Sequence, residues 1–440
     1  MNILFLDPYP DVPYRISKDQ NGAFGTANYY GKNLFSKLLS LFVKSSIDCP
    51  QLFAVQSIGE LKASGHEVSY SKKMDEKSKY DLIVIPSSIV CHETEIETIK
   101  TLKKTDNTVL VIGPFATSNP QNYTKAGAKV VIGEPEMFFH NFIYEIKEIK
   151  AMSEHIRAQK NIDLDDLSEP GWEVIFRNYV PTHKFLGKGP AIYILSSRGC
   201  PYSCFHYCTY PLAQGRKLRL RCPEKLVKQM FNFQKKLGVH NFIFRDPVFS
   251  VNRKHTVDIC EYIINNKYKF NICIETHLKN IDEELAVLLK KAGVKLIYCG
   301  IETSDEEVKK QSKRTSDSNN NEILKIKFLE KMGIKVKAMY IIGMPSDTEE
   351  TYKRTLEFSK KINSTYAQFS VFTPYPGTPV FQEYENIITK NRFESFTQWD
   401  LVFKNPNFTE QKVKELLSYS YSSYYLRFNW IIKYIIQKFR

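Results

Sequence analysis

The feature that most constrains the fold is a regular alternation of short β-like runs with helical patterns, which occurs twice along the chain. The first series occupies about residues 1–150 and the second about residues 191–385, with a linker predicted over 151–190 and a helical extension over 386–440. Because parallel strands need crossover connections, usually helical, this alternation predicts two α/β domains. The predicted strands are 2–6, 66–70, 81–86, 108–113 and 129–133 in the first domain, and 192–197, 241–246, 270–275, 295–301, 335–343 and 367–373 in the second.

The first domain is predicted to be a doubly wound parallel sheet. Ligands of such sheets bind outside the carboxyl ends of the strands, where this sequence is short, polar and turn-forming. No Gly-x-Gly-x-x-Gly follows the first strand, which argues against a dinucleotide. The domain either binds another ligand or is a scaffold whose turn residues only make turns. The candidate binding residues at these strand ends are Ser87, Gly113, Gly133 and Glu134.

The second domain has six β-like runs, fewer than the eight of a closed (β/α)8 barrel. A partial (β/α)6 barrel therefore fits the pattern better. Its functional site is expected at the carboxyl ends of the strands, as in complete barrels.

Composition narrows the classes of protein that remain. The chain has 62 Lys and Arg against 48 Asp and Glu, a formal net charge of +14, which favours anionic partners without selecting one. The start of the chain does not resemble a signal peptide, and no apolar run reaches the length of a membrane span. Nine cysteines without a secretion signal indicate a reducing, cytoplasmic environment, with metal or catalytic use rather than a disulfide scaffold.

The strongest chemical signal is a group of three cysteines, Cys200, Cys204 and Cys208, in a loop after the first barrel strand. Thiolates are the soft, anionic ligands that iron-sulfur clusters use, and a cluster held by three of them keeps one iron open to a small molecule. Zinc is the structural alternative, but such sites usually need a second pair of ligands, which this sequence lacks. The other six cysteines are scattered singly and are expected to be buried core thiols.

At these residues the sequence resembles the radical S-adenosylmethionine (SAM) enzymes, specifically the branch with an N-terminal cobalamin-binding domain. In that family three cysteines hold a 4Fe-4S cluster, SAM chelates the fourth iron, and SAM cleavage generates a 5′-deoxyadenosyl radical. The resemblance implies a Rossmann-like cobalamin-binding domain, a radical SAM partial barrel and a C-terminal helical tail. Besides the cysteine loop, the segments that carry it are 245–249, 292–294, 300–303, 341–345 and 373–379.

The resemblance also implies roles for single residues. Tyr207 occupies the family's aromatic position near the SAM adenine. Glu302, at a strand end, is expected to bond the SAM amino group or ribose, and Glu275 ends the preceding strand in the same way; a strand-end ion pair is the structural alternative for Glu302. Gly343 and Pro345 are expected to shape the turn beneath the methionine part of SAM. No catalytic residue is assigned.

One departure from the family pattern concerns the cysteine spacing. The family has Cys-x3-Cys-x2-Cys, whereas here three residues separate Cys204 from Cys208. The extra residue is expected to form a loop bulge that leaves Cys208 as the third ligand, the alternative being an altered cluster. Imidazole can replace a thiolate at such clusters, so His206 is a candidate ligand, although a solvent-facing or SAM-facing position is favoured.

Cobalamin is expected in the first domain, with no protein histidine on cobalt, because Asp-x-His-x-x-Gly is missing. The leading hypothesis is cobalamin-dependent methylation of an unactivated carbon in a small molecule or lipid. The alternatives are a radical SAM cyclase or rearrangement enzyme, similar to the anaerobic magnesium-protoporphyrin ester cyclase, and a non-catalytic metal-stabilised scaffold. A reductant such as flavodoxin or ferredoxin would supply the electron.

The C-terminal segment 411–440 is predicted to be helical, with basic residues among aromatics and isoleucines. It either lies in a membrane interface or packs its apolar side on the barrel, and packing is favoured. A nucleic-acid role is not expected, because the positive charge is dispersed.

Overall fold

The computed structural model describes residues 1–74, 79–105, 107–158, 162–314 and 316–438. Its strands are β1 (Asn2–Leu6), β2 (Arg15–Ser17), β3 (Thr26–Asn28), β4 (Ile47–Asp48), β5 (Glu67–Ser71), β6 (Leu82–Pro86), β7 (Val109–Ile112), β8 (Lys129–Ile132), β9 (His155–Arg157), β10 (Thr182–His183), β11 (Ala191–Ile194), β12 (Ser197–Arg198), β13 (Arg219–Leu220), β14 (Asn241–Phe244), β15 (Asn271–Glu275), β16 (Val294–Glu302), β17 (Lys335–Ile342) and β18 (Tyr366–Val371). Its α-helices are α1 (Leu34–Val43), α2 (Leu52–Ala63), α3 (His92–Lys103), α4 (Pro114–Ser118), α5 (Pro120–Lys125), α6 (Pro135–Phe139), α7 (Ile146–Ala151), α8 (Trp172–Asn178), α9 (Tyr210–Gln214), α10 (Pro223–Leu237), α11 (Arg253–Asn265), α12 (Glu283–Lys291), α13 (Glu306–Gln311), α14 (Asn319–Lys331), α15 (Glu349–Ile362), α16 (Pro379–Tyr384), α17 (Glu410–Tyr425) and α18 (Phe428–Lys438). Short 3-10 helices cover Ile89–Cys91, Ser203–His206, Leu278–Asn280, Glu385–Ile387 and Phe393–Ser395.

The N-terminal half contains a parallel sheet with strand order β5-β1-β6-β7-β8-β9. This is the predicted doubly wound arrangement, in which the strand order reverses between β1 and β6. β6 is buried along its whole length because helices cover both faces of the sheet. The sheet extends beyond the predicted boundary at residue 150, since β9 lies in the segment predicted as a linker. Residues 159–161 of that predicted linker lie outside the described part of the chain.

The second half contains a parallel sheet of six strands in sequential order, β11-β14-β15-β16-β17-β18. Each strand pairs only with its neighbours in this order, so the described strands form the predicted partial barrel and leave its side open between β11 and β18. The first segment of the chain contacts this half through β4, which pairs with β10 shortly before β11.

The carboxyl ends of the two sheets face each other. Arg245 follows β14 and donates to Asp19 of the N-terminal half, with an Nε to Oδ2 distance of 2.6 Å. Gly22, at φ +60°, lies so close to the cysteine loop that an added Cβ would meet Thr209 Oγ1 at 2.9 Å. The N-terminal domain therefore contacts the elements that position the predicted site.

The C-terminal segment forms two helices rather than one. α17 lies along the edge strand β18, where Tyr421 donates to Phe369 O at 2.8 Å and Tyr425 donates to Ala367 O at 2.7 Å. These tyrosine hydroxyls satisfy backbone groups that an open sheet edge would otherwise expose. α18 follows and keeps large apolar residues such as Phe428 exposed. No helix in the described residues has both the length and the apolar character needed to span a bilayer.

Candidate functional site

The cysteine loop begins directly after β11 and is fixed to the second barrel strand. Asp246 accepts hydrogen bonds from Ser196 N at 3.0 Å, from Ser196 Oγ at 2.6 Å and from Ser197 Oγ at 2.6 Å. The Asp246 side chain is fully buried, so these bonds compensate the cost of burying its polar oxygens. They hold the start of the loop in one conformation.

The thiols of Cys200, Cys204 and Cys208 line one cavity of about 120 Å³ at the carboxyl end of the barrel. The hydrogen bond from Cys208 lowers the pKa of Cys204 to about 7, and the guanidinium of Arg314 acts in the same direction. Burial raises the pKa of Cys200 to about 11. In the described residues, no three His, Cys, Asp or Glu side chains are arranged to hold a single metal ion. The donor set is therefore three thiols around a shared space, not a preformed zinc site.

The extra residue between the second and third cysteines is accommodated by the 3-10 turn Ser203–His206. Cys204 O accepts from both Tyr207 N and Cys208 N, each at 3.1 Å, so the chain turns back and Cys208 reaches the cavity. His206 does not line the cavity; its Nε2 lies 3.4 Å from Glu383 Oε2, and the residue is 8% exposed. The expectation of a solvent-facing or SAM-facing His206 is thus wrong for this structure, because the turn directs the ring towards α16.

Glu302 lies in the same cavity with an unusual backbone conformation. Its φ is +66°, which a non-glycine residue adopts at an energetic cost, and the β16–β17 register shifts between Gly300 and Glu302. The bulge turns its carboxylate towards Arg314, with an Oε1 to Nη1 distance of 3.6 Å. A Cβ at Gly300 would lie 2.1 Å from Glu302 Oε1, so a larger residue there would displace this carboxylate. Burial raises the pKa of Glu302, while Arg314 opposes that rise.

Two more predicted SAM residues, Glu275 and Tyr207, line this cavity. Glu275 accepts from Tyr210 at 2.9 Å and from Arg245 at 3.4 Å, so its carboxylate is partly engaged by the protein. The Tyr207 hydroxyl is buried without a hydrogen-bond partner, as is Nε of Arg314. The cavity thus presents one free hydroxyl and one free guanidinium nitrogen.

Gly343 and Pro345 do not line the cavity. Gly343 has a φ of +74°, donates from its N to Asp347 at 3.0 Å and accepts from Asn405 at 3.3 Å. Both residues belong to the turn after β17, so their effect on a ligand in the cysteine cavity is indirect.

The four residues predicted to hold cobalamin divide into two pairs. Gly133 and Glu134 line a small cavity between the two sheets, whereas Ser87 and Gly113 do not. Ser87 Oγ accepts from Ala116 N at 3.0 Å, and a Cβ at Gly113 would lie 2.5 Å from a Phe53 ring carbon. Cobalamin binding by these two residues stays a prediction.

Ion pairs between the two halves of the chain lie in the wall of the small cavity. Glu134 pairs with Arg198 and Arg219, and Glu136 pairs with Arg198. Burial raises the pKa of Glu134, but the two guanidinium groups outweigh it and hold the pKa below its usual value. The remaining volume is about 60 Å³.

Sequence reasoning missed Arg314 and Asp19 as site residues. Arg314 lies in a lysine-rich stretch after α13, where nothing in the sequence distinguishes it from its solvated neighbours. Asp19 lies in a loop between two short strands, and only the fold brings it to Arg245. Asp246 belonged to a recognised segment, but its role as acceptor for the cysteine loop needed the structure.

Residues 194–359 match the radical SAM superfamily. The match includes the cysteine loop and most of the six-stranded parallel sheet, so this part of the chain is a radical SAM domain. The chain is also 26% identical over 388 residues to an uncharacterized methyltransferase of Pyrococcus horikoshii, covering 83% of each chain.

Two solved structures share the fold. TsrM from Kitasatospora setae, with cobalamin and a [4Fe-4S] cluster bound, matches 88% of this chain and 78% of its own with a TM-score of 0.60 and 15% identity. The cobalamin-dependent radical enzyme OxsB, with aqua-cobalamin and SAM bound, matches 95% of this chain and 66% of its own with a TM-score of 0.68 and 13% identity. The predicted fold class is confirmed, and the predicted cofactors are those present in these structures.

The cysteine cavity and the cavity between the sheets differ in how well they fit the cofactors predicted for them. Three thiols around one cavity fit an iron-sulfur cluster with an open iron, and the carboxylate and guanidinium groups beside them fit the amino acid part of SAM. The cavity between the sheets does not fit a corrin as it stands, because 60 Å³ accommodates only a few water molecules.

Proposed function

We propose that this radical SAM enzyme methylates an unactivated carbon of a small molecule or lipid. The observation that carries the proposal is the single cavity that holds the three thiols together with Glu302, Arg314 and the free Tyr207 hydroxyl. The methyltransferase name of the Pyrococcus relative, which covers most of both chains, supports methyl transfer as the reaction class.

In this proposal each side chain has a defined task. Cys200, Cys204 and Cys208 hold the cluster, and Asp246 keeps their loop in place through its bonds to Ser196 and Ser197. When bound, the cluster supplies the electron that cleaves SAM.

The residues beside the thiols orient SAM. Arg314 keeps one guanidinium nitrogen on Gly300 O at 2.6 Å and leaves its Nε without a partner, so it can bind the SAM carboxylate. Glu302 faces the same space and suits the SAM ammonium group. The Tyr207 hydroxyl is placed to bind the ribose or adenine.

We propose that the N-terminal domain binds cobalamin. Its doubly wound sheet faces the barrel through the carboxyl ends of both sets of strands, and both TsrM and OxsB have the same fold. Because the ion pairs of Glu134 join the two halves beside this small cavity, we expect corrin binding to weaken them. A flavodoxin or ferredoxin is proposed as the electron donor.

Product analysis tests the proposal. Anaerobically reconstituted protein with SAM, hydroxocobalamin and a reductant is incubated with extracts of candidate substrates and analysed by mass spectrometry. Methylation predicts S-adenosylhomocysteine, 5′-deoxyadenosine and a product 14 mass units heavier, following from replacement of hydrogen by methyl. 5′-Deoxyadenosine with an oxidised or cyclised product and no S-adenosylhomocysteine would support a cyclase or rearrangement instead.

A further inference from the structure

A second cavity, of about 280 Å³, lies beneath the cysteine cavity in the barrel and is called the aromatic cavity here. Most of its wall is aromatic, with Tyr30, Phe35, Phe185, Tyr298, Trp430 and Tyr434 among the lining residues. It has more than twice the volume of the cysteine cavity. None of the residue roles proposed for binding the cluster or SAM involves this cavity.

The aromatic cavity is a neighbour of the cysteine cavity. On β16, Tyr298 lines the aromatic cavity and Gly300 lines the cysteine cavity; on β17, Lys337 lines the aromatic cavity and Met339 lines the cysteine cavity. Residues two apart on a strand share a face and are separated by about 7 Å. The two cavities therefore adjoin along one face of β16 and β17.

Two cationic side chains lie at the inner part of this cavity, Arg15 and Lys337. Arg15 is 5% exposed, and its guanidinium donates only to the neutral Asn28 Oδ1, at 3.0 and 2.7 Å. Lys337 lies over the Tyr298 ring at 4.8 Å, and neither cation forms an ion pair with a described carboxylate. Burial, together with the nearby Arg15, lowers the pKa of Lys337 to about 7. Arg15 is a buried cation without an anion, which is costly, and Lys337 is a second cation in the same cavity, so this pair is suited to receive an anion.

The groups that face Lys337 come from several elements. Arg15 and Arg245 repel its charge, whereas Cys273 and Glu275 favour it. Glu275 is already engaged by Tyr210 and Arg245, so it does not neutralise the lysine. An external anion is the missing counter-charge.

The other end of the aromatic cavity lies between α1 and α18. Phe35, Leu39 and Phe42 of α1 and Trp430 and Tyr434 of α18 line it. Both helices also present large apolar residues to solvent. The exposed fractions are 75% for Leu34, 58% for Leu38, 58% for Leu41, 72% for Phe42, 74% for Phe428, 50% for Ile435 and 48% for Ile436.

Charge indicates what covers this apolar surface. Segments 30–47 and 416–438 contain no Asp or Glu, and Lys32, Lys37 and Lys44 of the first segment are exposed. Apolar residues beside lysines, with no acidic residue, are typical of a surface that binds anionic lipid headgroups.

We propose that the aromatic cavity binds an amphiphilic anion, whose acidic group contacts Lys337 and Arg15 and whose apolar part extends between α1 and α18 to an anionic membrane from which it enters. This inference rests on the proposed function only in naming that ligand as the substrate of the radical. The reacting carbon would then lie near the acidic end of the ligand, because Lys337 adjoins the cysteine cavity.

Ligand binding is tested with the fluorescent fatty acid cis-parinaric acid and its methyl ester, using the reconstituted full chain. We expect the acid to bind the wild type at least tenfold more tightly than the ester, and Lys337→Met to abolish this difference. The matched control Lys295→Met changes an exposed lysine of β16 and should retain it. Equal binding of acid and ester by the wild type, or unchanged discrimination in Lys337→Met, would overturn the proposal. Thermal melting shows whether each variant is folded.

Membrane docking is tested by cosedimentation with vesicles of phosphatidylcholine alone or with phosphatidylglycerol. The wild type should sediment with the anionic vesicles, and Leu38→Ser combined with Phe428→Ser should weaken that binding at least tenfold. Leu324→Ser is the control, because Leu324 is 64% exposed on α14. Failure to bind anionic vesicles, or equal loss in the control, would overturn membrane entry. These readouts do not depend on SAM cleavage, so loss of 5′-deoxyadenosine formation alone would contradict the proposed function and not this inference.

Discussion

Arg245 and Asp19 form an ion pair with a 2.6 Å distance between Nε and Oδ2, although 226 positions separate them in the chain. Both side chains are at most 5% exposed, and Arg245 Nη2 also donates to Asp19 O at 2.9 Å. Asp19 in turn accepts from Leu52 N at the start of α2. The pair therefore joins the N-terminal domain to Arg245, which directly follows β14. The next residue, Asp246, fixes the cysteine loop.

Removing one partner of this pair should destabilise the protein strongly. Asp19→Asn removes the shorter of the two ion pairs of Arg245 and leaves only Glu275, at 3.4 Å, so the cost should approach the about 3–5 kcal/mol of breaking a buried pair. The measurement is urea unfolding of the full chain. Asp258→Asn, which removes a partly exposed i,i+4 partner of Lys254, should cost less than about 0.5 kcal/mol. Equal effects of the two substitutions would contradict a structural role for the interdomain pair.

Single alanine substitutions of Cys200, Cys204 and Cys208 should each prevent assembly of a complete cluster, because all three thiols line the cavity. Iron and sulfide content and the visible absorption after anaerobic reconstitution measure this. Cys222→Ala should retain wild-type iron, since Cys222 lies at the start of α10 outside the cavity.

His206→Ala supplies an internal control for the longer spacing. Its ring contacts Glu383 instead of the cavity, so the variant should keep the cluster and its response to SAM. A full cluster in Cys208→Ala together with a lost cluster in His206→Ala would show that histidine is the third ligand.

Glu322 gives a pH dependence with a defined sign. It is 2% exposed with Oε2 unpartnered, and burial raises its pKa to about 7 despite the opposing charges of Lys309 and Arg314. Between about pH 4.5 and 7 the folded state then holds a proton that the unfolded state has lost, so stability falls as pH rises. The shift corresponds to at most about 3 kcal/mol.

The test compares the unfolding free energy of the wild type and Glu322→Gln across this range. The variant carries no titrating group there, so its advantage over the wild type should increase from pH 4.5 to pH 7.5. A difference that is constant with pH would show that folding does not shift the pKa of Glu322.

The sequence was sufficient to predict all strands of the barrel and five strands of the first sheet, because buried parallel strands are continuous apolar runs between helical patterns. It missed β9, which has only three residues and pairs on one side. The break between α17 and α18 was missed as well, since Leu426 and Arg427 are ordinary helix formers.

Site residues that lie close together in the sequence could be predicted. Site residues that only the fold brings together could not. The three cysteines lie in one short segment, so the sequence alone shows that they are close together. The destination of His206 depends on a 3-10 turn, and the counter-charges of Glu134 come from Arg198 and Arg219, more than 60 positions away. Such pairings follow from the contact of two domains, which no local pattern encodes.

The Glu134 ion pairs lead to a prediction about cobalamin. Full-length protein should bind hydroxocobalamin at micromolar concentration, about −8 kcal/mol, in a form without histidine on cobalt. If Glu134 closes the interface, Glu134→Gln should bind the corrin faster and more tightly, because its pairing with Arg198 and Arg219 is weakened. Weaker binding by Glu134→Gln would instead identify Glu134 as a corrin ligand, and absence of binding by the wild type would contradict the cobalamin proposal.

The most direct test of the account is 5′-deoxyadenosine formation by the anaerobically reconstituted full-length protein with SAM and dithionite. The cavity that unites Cys200, Cys204 and Cys208 with Arg314 and Glu302 predicts SAM cleavage to 5′-deoxyadenosine and methionine, even without substrate, and at least 100-fold less in Cys204→Ala. Wild-type protein with a full iron complement that yields no 5′-deoxyadenosine, or a Cys204→Ala variant that yields as much, would contradict it.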